Sequence, residues 1–74
     1  MEITPGSYRL RSEAIGLQQK GDHLVSVIIP QDAILVVALH SQIKHRFIEC
    51  TWNGQPLLVF APDLLQSGEL TTFE

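Results

Sequence analysis

The chain is poor in cysteine, in aromatic residues and in positive charge. Its 74 residues include one cysteine, one tryptophan, one tyrosine and three phenylalanines. A single cysteine cannot staple a small fold from within, so the packed core has to hold it. Five basic residues stand against eight acidic ones, a net charge of −3, with no tail or block of one sign. A surface of that sign repels phosphate backbones, whose neutralisation supplies most non-specific nucleic-acid affinity. Nucleic acid is therefore disfavoured as a partner; Arg9 and Arg11, which alternate on an expected strand and share a face, are too few to reverse this. The longest unbroken apolar run, Ala33–Leu39, holds seven residues, where a membrane-spanning helix needs about 20. The opening Met1–Gly6 has neither the positive flank nor the apolar core of a signal peptide. With the lone thiol, these features place the chain in a reducing, cytoplasmic setting, with no membrane among its partners. Glycine-rich phosphate loops, nucleophile elbows and His-Glu-x-x-His elements are all absent from the sequence. Ser12 and Ser26 have no base partner in sight, and Asp32, Asp63 and Glu69 fall at turns and caps, where local backbone bonding accounts for them. The expectation is a protein that is not an enzyme and carries no cofactor.

What the chain does have is grease in short pieces. Hydrophobic residues make up 45% of it and charged residues 18%, a globular composition that fits one domain over residues 1–74. Punctuation recurs at short intervals: Pro5-Gly6, Lys20-Gly21-Asp22, Pro30-Gln31-Asp32, His40-Ser41-Gln42, Asn53-Gly54, Pro62-Asp63 and Ser67-Gly68. Short Val-, Ile- and Leu-rich segments between turn signals mark a small all-β barrel or sandwich. Strands are expected near Tyr8–Arg11, Ala14–Gln19, Leu24–Ile29, Ile34–Leu39, His45–Trp52, Gln55–Phe60 and Glu69–Thr72. Asp32 could instead cap a helix through Ala33–Leu39, continuing over residues 33–46. Three β-branched residues in that run and Pro30 before it favour the strand. Pro62 suits a first helical turn and Gly68 a left-handed exit, so one short helical turn is expected near residues 62–67.

Asn53-Gly54 is the strongest local signal. It tolerates the positive φ angles of a type I′ turn, and a two-residue loop fixes the hairpin register. Trp52 then faces Gln55, Cys50 faces Leu57, Ile48 faces Val59 and Phe47 faces Phe60. Ile48, Cys50, Trp52, Leu57 and Val59 form one apolar face, while Phe47, Glu49, Thr51, Pro56, Leu58 and Phe60 form the other. Pro56 fits this register only if its outer side is unpaired. Ile34–Leu39 is likewise apolar on both faces, whereas a half-exposed sheet alternates cleanly. Either curvature brings the N-terminal strands over the second face, or another molecule covers it. The small core points the same way, since a domain of this size buries only about 60% of its extended-chain surface. A protein partner or homo-oligomer is expected, with Leu39, Phe47, Leu58 and Phe60 as candidate interface residues.

From Leu24 to Thr71 the order of elements resembles a small barrel of the Src-homology-three type, particularly its bacterial variety. Both have a strand, a Pro-led turn (Pro30-Gln31-Asp32), two long strands, a tight hairpin, a helical turn and a closing strand. The likeness implies an SH3-like barrel of five to seven short antiparallel strands. Peptide-binding members line a groove with clustered aromatics and an acidic loop; only Tyr8 and Trp52 could contribute here, so proline-rich ligand recognition does not carry over. Nearly the whole chain is also similar to a group of small uncharacterised bacterial proteins. The shared elements are Pro5-Gly6-Ser7-Tyr8-Arg9-Leu10, Trp52-Asn53-Gly54, Phe60-Ala61-Pro62-Asp63-Leu64 and Gly68-Glu69-Leu70. That likeness implies a fold and no activity.

A ligand- or metal-binding module is the alternative, with Tyr8, His40 and His45 as candidate ligands. A four-residue loop, Ser41-Gln42-Ile43-Lys44, would bring the two imidazoles together. Zinc takes three or four protein ligands, usually with tightly spaced Cys/His pairs. No such spacing occurs, so no metal is assigned, and Lys44 and Arg46 would repel a cation. Cys50 alternates onto the apolar face between Ile48 and Trp52, as a structural thiol does. Tyr8 or Trp52 could stack a base or a sugar, although a hairpin tryptophan more often anchors a core.

Overall fold

The computed structural model describes residues 3–39, 41 and 43–71. It is all-β with one short helix: β1 (Gly6–Leu10), β2 (Ala14–Lys20), β3 (His23–Ile29), β4 (Ile34–Val37), β5 (Ile43–Lys44), β6 (Phe47–Trp52), β7 (Gln55–Phe60), α1 (Ala61–Ser67) and β8 (Gly68–Thr71). All pairings are antiparallel, in the order β3-β2-β7-β6-β4-β1-β8, with β5 added at β6. One buried cluster draws on β1, β2, β3, β4, β6, β7 and α1, so the sheet curls around a single core in a barrel-like arrangement. Among the described residues no pairing joins β3 to β8, and both strands are edges of the sheet.

Ile34–Val37 is a strand and not the competing helix: β4 alternates, with Leu35 and Val37 buried and Ile34 and Val36 exposed. The β6–β7 hairpin has the expected register at all six pairs, from Phe47↔Phe60 to Trp52↔Gln55. Its turn has φ of 53° at Asn53 and 78° at Gly54, the two positive angles that a type I′ turn requires. Ile48, Cys50, Leu57 and Val59 are buried on the inner face, with Trp52 packed against them.

The chain differs from expectation after β4. The strand expected from His45 begins at Phe47, because His45 and Arg46 both have positive φ (54° and 68°) and make a second two-residue turn. Ile43 and Lys44, expected in a loop, form the additional strand β5, paired with Ile48 and Phe47. Among the described residues that gives eight strands, one of them only two residues long.

Pro62 lies in the first turn of α1 and Asp63 follows it, an acidic side chain at the favourable end of the helix. Leu64 is fully buried, as a plug at that end of the core. The helix exit departs from the expected left-handed geometry: Gly68 has φ −90° and ψ 139°, ordinary extended backbone. Its lack of a side chain matters for space instead. A Cβ there would lie 2.5 Å from the Leu64 carbonyl oxygen and 3.0 Å from a Leu64 methyl. Gly68→Ala is therefore expected to force the end of α1 away from β8 and to destabilise the protein by about 1–3 kcal/mol, as overpacked cores do. Urea denaturation measures this, and an unchanged midpoint would contradict the steric account.

Candidate functional surface

The candidate surface is the outer face of the sheet, built by register. On β6 and β7, Phe47 lies opposite Phe60 and Glu49 opposite Leu58. The phenylalanine ring centroids are 5.4 Å apart with planes tilted by 57°, a favourable aromatic geometry. On β2, Leu17 lies opposite Leu58, and one further step of that register sets Ile15 beside Phe60. The β2–β3 hairpin sets Ile28 opposite Ile15. Ile28, Ile15, Phe60 and Phe47 thus form an apolar row across four strands on one face. Phe60 and Phe47 are half-buried, whereas Ile15 and Ile28 are 60% and 66% exposed. The N-terminal strands do not fold over this face; β1 joins the sheet between β4 and β8, and β2 lies beside β7.

Pro56 shapes the surface next to the row. It lies opposite Thr51, and the pairs of β2 with β7 end at Leu17↔Leu58, short of Pro56. Without an N–H, Pro56 cannot continue that ladder. A side-chain bond between Gln18 and Gln55 (2.7 Å) is the remaining link. A groove of about 190 Å³ lies here, with walls that include Leu17, Leu24, Pro56, Leu58 and Glu49.

Of the expected interface residues, Phe47, Leu58 and Phe60 come together on this face. Leu39 does not join them: it lies beyond β4 in a turn closed by Ser41 N–H donating to the Ala38 carbonyl (3.1 Å), and it is 77% exposed. Ile15, Ile28 and Leu24, which complete the surface, were not among the candidates. Gly21-Asp22 is their signal, since a Gly-led two-residue turn sets Ile15 opposite Ile28 just as Asn53-Gly54 sets Phe47 opposite Phe60.

The expected ligand residues are dispersed. Tyr8 is 6% exposed, paired opposite Leu35 and Leu70, and its hydroxyl donates to the Thr4 carbonyl at 2.6 Å. His45 stands exposed in the β5–β6 turn. His40 lies outside the described residues, and of the loop expected between the two histidines Ile43 and Lys44 form β5. Among the described residues no group of three or more His, Cys, Asp or Glu side chains is placed to hold a metal. Arg9 pairs with Glu69 at 3.0 Å, and Arg11, just past the end of β1, donates to the Gln66 carbonyl at 2.7 Å. No helix of the described residues is long and apolar enough to cross a membrane. Comparison with known protein families, curated proteins and solved structures finds no match for this chain.

Cys50 is 1% exposed, between Ile48 and Trp52 on the inner face. Burial, and then the neighbouring Glu49 charge, push its thiol from 9.0 up to about 12. Burial likewise raises the Tyr8 hydroxyl, with a smaller contribution from Cys50, against the lowering effect of its bond to Thr4. The thiolate is the reactive form, so Cys50 is inert near neutral pH. Below pH 9 both folded and unfolded chains keep the Cys50 proton, and stability does not depend on it. Between pH 9 and about 12 the unfolded chain releases the proton while the folded chain retains it. Stability then falls as pH rises, by about 1.4 kcal/mol per pH unit from this group. Urea midpoints should drop more steeply above pH 9 for the wild type than for Cys50→Ala; equal slopes would contradict the assignment.

Proposed function

We propose that this protein is a non-catalytic interaction module that self-associates through the outer face of its sheet. The supporting observation is the row Ile28–Ile15–Phe60–Phe47, which is apolar across four strands while the core is already filled from the inner face. Burial of such a row stabilises a contact by about 25 cal/mol per Å² of apolar surface removed from water. A small domain leaves such surface open where a partner covers it. The cytoplasm is the setting proposed for this activity, consistent with an unpaired, buried thiol.

Sedimentation velocity from low to high micromolar concentration tests the reading. The wild type should shift from 8.3 kDa toward twice that mass. Ile28→Glu should weaken association about tenfold or more, equivalent to about 1.4 kcal/mol. It should leave thermal stability nearly unchanged, because this side chain is exposed in the protomer. A wild type that remains monomeric at high micromolar concentration would overturn the proposal.

A further inference from the structure

We infer that β3 is the seam of a two-fold homodimer, in which the β3 strands of two copies pair antiparallel about Ser26 and join two sheets into one. The inference rests on the reading that the chain self-associates, and it places the contact at the β3 end of the apolar row, not over the whole outer face. Among the described residues β3 is a free edge of the sheet. Natural edges are blunted by lysine, proline, bulges or shortness, and β3 has none of these: it runs seven residues, His-Leu-Val-Ser-Val-Ile-Ile, in unbroken register with β2. Of the other edges, β5 is only two residues long, and β8 carries Glu69 in its ion pair with Arg9.

The hydrogen-bonding phase of β3 follows from its turn. Lys20 and His23 flank the two-residue loop Gly21-Asp22, so they form a hydrogen-bonded pair. Alternation makes Gln18–Val25, Gly16–Val27 and Ala14–Ile29 the other bonded pairs. Leu24, Ser26 and Ile28 therefore direct their N–H and C=O groups away from β2, toward the open edge. All three side chains lie on the outer face and are exposed. An antiparallel partner centred on Ser26 sets Ser26 opposite Ser26 of the second copy, and Leu24 opposite its Ile28. Both copies then present their free donors and acceptors in phase, six hydrogen bonds in all, and every side chain stays on its own face. An antiparallel strand pair has the two-fold symmetry that a self-complementary contact requires.

Charge selects the same place. Each copy carries −3, so two copies repel unless they meet where charge is absent, and β3 has no Asp, Glu, Lys or Arg. The row Ile28–Ile15–Phe60–Phe47 ends at this edge and would meet Leu24 of the second copy. A single strand seam buries less than the roughly 800 Å² per partner of a standard interface. The dimer is accordingly one whose population depends on concentration.

Two measurements on the full chain test the seam. In wild-type protein at high concentration, the amides of Leu24, Ser26 and Ile28 should be protected from hydrogen exchange, and dilution should speed their exchange about tenfold or more. Ser26→Lys and Ser26→Glu each set like charges opposite one another at the two-fold axis and should each be monomeric. An equimolar mixture of the two should recover the dimer mass as a one-to-one heterodimer. If wild type and Ser26→Lys both dimerise while those three amides exchange fast at every concentration, the seam is wrong and self-association runs through the outer face alone. If wild type never associates, both readings fall, and the edge is left for an extended segment of another protein. Should the variants misfold, the wild-type amide pattern alone decides.

Discussion

The two-residue turn at Asn53-Gly54 is the constraint on which the rest of the structure depends. Its pair of positive φ angles allows one register of β6 against β7, and a slip of one residue would turn every side chain of a strand to the opposite face. With the register set, Ile48, Cys50, Leu57 and Val59 go inward to meet Leu10, Ile29, Leu35 and Leu64. The same choice sends Phe47, Leu58 and Phe60 to the outer face, where they stay partly exposed. The core and the surplus are two consequences of one turn.

The remaining elements adjust to that hairpin. Pro56 lies just past the end of the ladder between β2 and β7, beside the groove lined by Leu17, Leu24 and Leu58. Gly16 lets β2 lie close to the core, since a Cβ there would come within 3.0 Å of Ile29 and 3.3 Å of the Leu58 carbonyl oxygen. Gly68 does the same where α1 meets β8. Close approach at these glycines lets the strands close over a mostly aliphatic core in which Tyr8 is buried and against which Trp52 packs.

Much of the architecture was legible in the sequence. Asn-Gly specified a register, β-branched residues specified a strand at 34–37, and Pro62 with Asp63 specified the start of a helix. What escaped had physical reasons. His45 and Arg46 adopt left-handed angles that neither residue signals, because pairing of Ile43 and Lys44 with Ile48 and Phe47 outweighs local preference. Gly68 was read for its conformational freedom, whereas the packed structure uses its lack of a side chain. The hairpin half of the candidate surface was visible from alternation, but Ile15, Leu24 and Ile28 were not, since their place on that face depends on β2 joining β7, a contact between residues more than 40 apart. Leu39 was drawn in as the continuation of a strand that ends at Val37.

Residue-resolved amide and methyl NMR spectra recorded on dilution address the central claim most directly. If copies meet at the β3 end of the outward apolar row, concentration-dependent shifts concentrate at Leu24, Ser26, Ile28 and Ile15 and fade toward Phe60 and Phe47, and those of α1 and β8 stay fixed. Spectra that do not change with concentration, or changes centred on α1 and β8, would contradict the account.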